Sequence, residues 1–448
     1  MKLINSNNFL FRNIKKDIDT KLFLLGVFFL ASAPFIGTII LLYPLAKGLI
    51  KKRAAILRDN YNIALIVVSF IMVLKCIVGH FNQISNLDSW DPILNWIGLL
   101  NWIPLFLCFI GFQPYLDSVQ KRLVLSKVFI ASSIPILISG IAQFFFKVNG
   151  PFQLLNGLVV WYQRPINGGG LTSLFNNPNY AGGWLTLLFP LCLSLLFINR
   201  KKRFKFKSII ALIICITFTT SIVLTNSRGA WIGLIVSIPI VLGRITLFWL
   251  MPLILILLMT ILVTFIPNMP LQYKEVMVHF IPEKVFSKFS EIFLNLQAFP
   301  RLDIWKKSFL FISNRPFLGW GASTFSILYF QKTNLFNNHA HNLFLELSIN
   351  YGIIVSLIIF LAIFSILFNS YFFIFKTENN LEIINDRSWW AASLIFILSH
   401  LYDVLYYDLR ISISSWIFIA GLRAIIIKNK FPVNLKKDLI YRFFKSNE

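Results

Sequence analysis

Two of the chain's five histidines stand two residues apart, in Asn337-Asn338-His339-Ala340-His341-Asn342-Leu343-Phe344-Leu345-Glu346. That spacing does not place two imidazoles on one face of a helix. A strand could present both, but no cysteine, third histidine or acid at a suitable spacing completes a metal site, so no metal is expected here. One histidine acting as a general base is the simpler chemistry, because an imidazole pKa of about 6.5 suits proton abstraction at neutral pH. The alternative is that both histidines only satisfy hydrogen bonds in a loop.

Cations flank this segment. Arg228, in Ser227-Arg228-Gly229, falls in a two-residue turn between apolar runs. It is placed either to anchor that turn or to meet a lipid-linked phosphate, whose oxygens a planar guanidinium binds in a bidentate manner. Arg301 lies in Pro300-Arg301-Leu302-Asp303-Ile304-Trp305-Lys306-Lys307, which predicts a helix start with proline in the first turn. Arg315-Pro316 ends that helix, and Gly319-Trp320-Gly321 makes a turn. A second polar stretch holds Arg164-Pro165, Gly168-Gly169-Gly170 and Asn176-Asn177-Pro178-Asn179; the glycine run reads first as a flexible turn.

The elements that position these residues are read from the rest of the chain. Of its 448 residues 57% are hydrophobic and only 13% charged, and 47 are phenylalanine. With a mean hydropathy of +0.73, this excludes a soluble globule, in which about a quarter of residues are charged. The expected class is an all-α integral membrane protein. Apolar runs long enough to cross a bilayer fall near 61–79, 93–113, 123–146, 180–198, 208–226, 246–266, 352–374, 389–406 and 411–427, with a shorter one at 229–243. The stretch 22–46 reads as a hairpin of two short passes broken at Ala33-Pro34, because a single pass would put basic clusters on both faces. The total is about twelve passes, with both termini cytoplasmic. The chain then divides into an N-terminal bundle (1–266), a large outer loop between passes nine and ten (267–351) and the last three passes with a basic tail (352–448).

Forty-two Lys and Arg against 18 acids give a net charge of +24. Most of the surplus falls in the segments placed inside, above all Asn199-Arg200-Lys201-Lys202-Arg203-Phe204-Lys205-Phe206-Lys207. It reads as a topology signal, with anionic inner-leaflet lipid rather than nucleic acid as the electrostatic partner. Charge inside the passes is scarce: Lys75 and Arg423 sit near helix ends, His400 and Asp403 near the outer end of theirs, and Asp408 and Arg410 in the turn beyond. A proton- or ion-coupled carrier normally carries such a group near the midplane. The four cysteines fall inside passes and read as buried apolar residues.

Asn177-Pro178-Asn179, Ser227-Arg228-Gly229, Arg301 to Trp305 with Pro316-x-x-Gly319-x-Gly321, and His339-Ala340-His341-Asn342 followed by Leu345-Glu346 and Tyr351-Gly352 occur in that order. Together they resemble the O-antigen ligase and polymerase superfamily over roughly residues 170–365. The resemblance implies a membrane-embedded, metal-independent glycosyltransferase without cofactor, at the periplasmic face of the bacterial inner membrane. It would move a glycan from a polyprenyl-pyrophosphate donor to a hydroxyl of a glycan, lipid or protein acceptor. His341 would be the base, Arg228 and Arg301 would grip the pyrophosphate, and Arg315, His339 and Arg164 would follow in rank. The superfamily includes a branch labelled as bicarbonate transporters, so a solute carrier is the competing expectation.

Overall fold

The structure, a computed structural model, describes residues 17–81, 90–166, 169–201, 205–243, 246–252, 255, 259, 300–376 and 381–430. The expected pass at 246–266, the start of the large outer loop, Gly168 and the tail beyond Lys430 lie largely outside the described residues. The chain is an all-α membrane protein: among the described residues eight helices are long and apolar enough to span a bilayer, with a shorter apolar one at Arg228–Leu242.

The amino-terminal stretch forms α1 (Ile18–Leu30) and α2 (Pro34–Lys52), broken where Pro34 begins the second helix. They fold back on each other. A Cβ at Gly37 would press on the backbone of Leu30, the small-residue contact that lets helices approach closely in lipid. Lys51 at the far end reaches Asp19 at 2.9 Å, so both ends of the pair lie on one side, as a hairpin requires. Next come α3 (Asn60–Phe81), α4 (Ile93–Leu99) with α5 (Ile103–Phe112), and α6 (Val119–Ser132) with α7 (Ile134–Phe145). The runs at 93–113 and 123–146 are thus each a broken pair, interrupted before Pro104 and Pro135, which occupy first-turn positions of new helices. A two-stranded hairpin follows, β1 (Phe152–Leu154) against β2 (Val159–Trp161). Its three-residue strands are too short for alternation to show in the sequence. The bundle continues with α8 (Pro178–Lys201), α9 (Lys205–Leu224) and α10 (Arg228–Leu242).

The described part of the expected large loop is helical: α11 (Pro300–Asn314), α12 (Phe325–Thr333) and α13 (Leu343–Tyr351). These enclose a core of their own, with Ile304, Phe311, Phe325, Tyr329 and Ile349. Three helices complete the chain: α14 (Ile353–Phe375), α15 (Leu381–Ser399) and α16 (Leu409–Lys430). Helices α8 and α16 are the most enclosed spans. Around them aromatic rings interlock, with Trp389 and Phe129 both against Phe418 at 5.0 and 5.1 Å between centroids. Apolar side chains also cover the outside of the bundle, such as Phe70, Leu361 and Ile213. That is the surface a helix presents to lipid. All four cysteines are buried and unpaired.

Contacts sort the connections to two ends. At one, Lys51 meets Asp19, Lys52 meets Gln113, Arg122 meets Asp386 and Arg423 meets Asp59. At the other, Trp161 donates to the carbonyl of Ser32 in the α1–α2 turn. There too the segment 300–351 docks on α3 and α4, through Lys75 to the Phe317 and Tyr351 carbonyls and Asn95 to the Ala322 N–H. The first is the basic end, and the second carries the clustered histidines and arginines.

Candidate functional site

The His339–His341 segment is neither helix nor strand. Asn342 caps α13, its side-chain oxygen accepting from Leu345 N–H at 3.1 Å. Just before it the chain turns at His341, whose φ of +50° is left-handed, a conformation histidine enters more readily than bulky residues. The bend brings the imidazoles together, ring centroids 4.3 Å apart and edge to face. Glu346, buried one turn into α13, accepts the Ala340 N–H at 2.9 Å and so pins the bend. The segment is also tied to the loop after α15: Leu343 N–H donates to the His400 carbonyl and the Asn342 amide to that of Leu401, both at 2.9 Å.

That tie delivers the group the sequence did not supply. Helix α15 ends at Ser399, so Asp403 stands in the loop beyond it, not within a pass. Its Oδ1 lies 3.2 Å from His341 Nδ1 and 3.9 Å from His339 Nε2. The other oxygen accepts from the Asn179 amide at 2.9 Å, and Val404 N–H donates to Oδ1 at 2.8 Å. Burial works against the charge on this carboxyl, but the His341 hydrogen bond, the two imidazoles' electrostatic pull and the Val404 N–H outweigh it and hold its pKa below the ordinary value. With Asp403 ionised, His341 donates through Nδ1, leaving Nε2 as the basic lone pair. His339 is set differently. Its Nδ1 accepts from His341 N–H at 3.3 Å, and burial followed by the charge of His341 pushes its pKa down to about 4. It is neutral at pH 7.

The expectation that no acid completes the pair is therefore corrected: Asp403, far along the chain, brings His339, His341 and a carboxylate within 4.8 Å of one another. These atoms are spaced as a cation's ligands could be. In the present geometry, however, His341 Nδ1 and Asp403 Oδ1 are engaged with each other, and the His339 Nδ1 lone pair is taken by a backbone N–H. The arrangement is a hydrogen-bonded acid–base dyad with a second imidazole beside it.

Two of the four arginines join it. Arg301, in the first turn of α11, is partly buried, with its guanidinium 6.0 Å from the centre of the Tyr402 ring. Burial lowers its pKa, the Asp403 charge opposes that, and nearby Arg228 adds to it, so Arg301 stands within electrostatic reach of both. Arg228 opens α10. The glycine after it has a definite role: a Cβ at Gly229 would overlap the Tyr402 ring, so only glycine lets the Tyr402–Asp403 loop lie against this helix. The glycine run serves the same region. Gly170 packs on the Thr225 backbone, and Leu171 N–H donates to the Leu224 carbonyl at 2.8 Å.

The remaining arginines are placed elsewhere. Arg315 stacks over Trp320 at 4.5 Å and lines a separate cavity of about 270 Å³ with Lys75 and Asn350. The turn after it is an α13 terminator: Trp320 and Gly321 N–H groups take the Ile349 and Asn350 carbonyls at 2.7 and 3.1 Å, which the end of a helix leaves unmet. Gly319 and Gly321 have φ of +73° and +106°, which explains their type. Arg164 is exposed beside Tyr162 and Thr172 in the connection after β2.

Residue type and spacing alone do not mark Asp403, Tyr402, Asn179 or Glu346 as site residues. The one signal for Asp403 was an acid at the outer end of an otherwise apolar run.

These features define a class: a multi-pass membrane protein with an acid–base dyad and paired arginines at one end of the bundle. Within that class, residues 213–361 match the family model described as O-antigen ligase, in line with the resemblance carried by the motifs. The matched stretch holds Arg228, Arg301, His339 and His341; Asn179 and Asp403 lie outside it and reach the site through the fold. No curated protein shows significant similarity to the chain.

Proposed function

We propose that the protein transfers a glycan from a polyprenyl-pyrophosphate carrier to an acceptor hydroxyl at the periplasmic face of the inner membrane, with the basic end and both termini cytoplasmic. The observation that carries this reading is the His341–Asp403 hydrogen bond beside Arg301 and Arg228. A sugar hydroxyl is a poor nucleophile until its proton is taken. His341 Nε2 accepts that proton, while Asp403 fixes the ring through Nδ1 and stabilises the imidazolium that forms. As the acceptor oxygen bonds to the anomeric carbon, the bond to the pyrophosphate oxygen breaks, and Arg301 and Arg228 neutralise the charge that collects on the leaving group. His339, neutral and adjacent, adds no competing positive charge. His341 takes the proton and the two arginines meet the leaving-group charge, the two tasks a metal would otherwise serve.

A lipid-borne donor is supported by an apolar groove of about 420 Å³ that runs from the site along α14. Its lining includes Trp305, one turn after Arg301, then Asn342, next to His341, and Leu401, two residues before Asp403. Phe360, Leu361 and Phe364 continue it along one face of the spanning helix. The positions of the buried ion pairs also favour chemistry at an end over passage through the middle. Among the described residues, Arg122–Asp386 and Arg423–Asp59 lie at the basic end.

Substitution tests this reading. His341→Ala should lower transfer by about 10²–10⁴-fold, and Arg301→Ala should lose comparable activity, with both proteins inserted and folded. Full activity in either variant would sink the mechanism. A surface-glycan profile of a deletion strain then separates the acceptors: shortened chains mark polymerisation, and unattached full-length glycan marks ligation.

A further inference from the structure

A second groove lies at the basic end, remote from the histidines. Three helices build it, each with one face. Leu123, Lys127 and Ile130 of α6 stand at helical i, i+4, i+7 spacing, and Lys207, Ile210, Ala211 and Ile214 of α9 at i, i+3, i+4, i+7. Cys192, Leu195, Ile198 and Asn199 of α8 close the third side, enclosing about 360 Å³. The polarity is graded. Lys207 and Asn199 mark the end where α8 connects to α9, joined by a hydrogen bond from the Asn199 amide to the Lys207 carbonyl at 3.4 Å. Below them the walls are aliphatic, with Lys127 on the flank and no acidic residue among the described residues of the lining.

The charge at this mouth is the wrong sign for the helix it sits on. The first turn of α9 carries Lys205 and Lys207 and no acid, although the N-terminal end of a helix dipole favours negative charge. An anion at the mouth would meet Lys207 and the dipole, with Lys127 on the flank. An apolar channel beneath an anion seat, opening to the side of a membrane bundle, has the shape and charge order of a phospholipid. We propose that this groove holds one anionic phospholipid, its phosphate against Lys127, Lys207 and the Asn199 amide and an acyl chain along Ile130, Leu195, Ile210 and Ile214. The long stems of the lysines let their ammonium groups reach up to the headgroup level. The bound lipid would brace α9, whose lipid-facing side carries the exposed Ile209 and Ile213, against α6 and α8.

Native mass spectrometry of the full chain, released from detergent and titrated with phosphatidylglycerol, tests this without any transfer assay. The wild type should retain one phosphatidylglycerol, and phosphatidylcholine of the same chains should bind several-fold less. Lys127→Gln and Lys207→Gln should each weaken retention by about fivefold. Ala211→Phe, which fills the channel and leaves the charges, should also displace the lipid. Equal retention of the two lipids, or retention unchanged by all three variants, overturns the proposal. So does displacement of the lipid by inorganic phosphate, which would mark a seat for a free ion. Thermal unfolding of each variant in detergent separates loss of lipid from loss of fold, and the two lysine variants, which leave the packing intact, decide the matter should Ala211→Phe unfold.

Discussion

At the scale of single residues, the site rests on what each polar atom is already doing. His341 and His339 are two residues apart and chemically unlike, because one faces a carboxylate through Nδ1 and the other accepts a backbone N–H there. The sequence made both histidines and Arg228 and Arg301 legible through residue type and motif order. It could not reveal Asp403, since the bend at His341 and the loop after α15 meet only in three dimensions. Glu346 was visible as a motif letter but not as the group that holds the bend, and it supports a pH prediction. Burial raises its pKa to about 7, against the hydrogen bonds from Ala340, Asn350 and Tyr407 and the charge of His341. An unfolded glutamate titrates at about 4.3. Between those values the folded state binds more protons than the unfolded one, so this residue's contribution is full at low pH and is lost as pH rises through about 7. His339, with its lowered pKa, acts in the opposite sense: its contribution is present above about 6.5 and lost as pH falls toward its folded value. Glu346→Gln removes only the first effect. Its melting temperature should therefore fall less than the wild type's between pH 5 and pH 8; parallel curves would show that Glu346 is already charged in the folded protein.

At the scale of elements, the motifs divide into those that touch the site and those that bring it together. Asn177-Pro178-Asn179 does both. Asn177 accepts the Asn179 N–H at 2.7 Å at the start of α8, and the Asn179 amide then holds Asp403. Ser227-Arg228-Gly229 places an arginine within electrostatic reach of Arg301 and leaves room for Tyr402. The long apolar spans were plain from composition and length. The breaks at 100–102 and near Ser133, and the β1–β2 hairpin, were not, because a proline after a short polar step can either kink a helix or start a new one. Gly229→Ala tests the positioning role. Its Cβ must displace the Tyr402 ring and Asp403 with it, and a shift of about 1 Å in a reacting group can cost on the order of 10²-fold. Transfer should fall by about that factor with the protein still inserted, whereas Gly169→Ala, where a Cβ meets nothing within 4 Å, should remain active. Equal activity of the two variants would remove Tyr402 packing from the account.

At the scale of the whole molecule, the two ends have different work. The basic end is fastened by buried ion pairs, of which Arg122–Asp386 is the most enclosed, with the Nε and Nη2 nitrogens on the two carboxylate oxygens at 2.8 and 2.7 Å. Removing one partner strands a buried charge, so Arg122→Met should cost about 3–5 kcal/mol of stability, and adding Asp386→Leu should recover part of it. Thermal unfolding of the two variants in one detergent checks both signs. The net charge of +24 reads as a topology signal, and Lys51, Lys52, Arg122 and Arg423 make their contacts at one end; the proposed chemistry rests on a few charges at the other. Whether Asp403 sets His341 as a base is read from transfer of a labelled glycan from a polyprenyl-pyrophosphate donor in proteoliposomes. Asp403→Asn keeps the shape of the loop and removes the charge that orients the imidazole. Turnover should fall by about 10²-fold or more with donor KM little changed. Turnover equal to that of the wild type would contradict it.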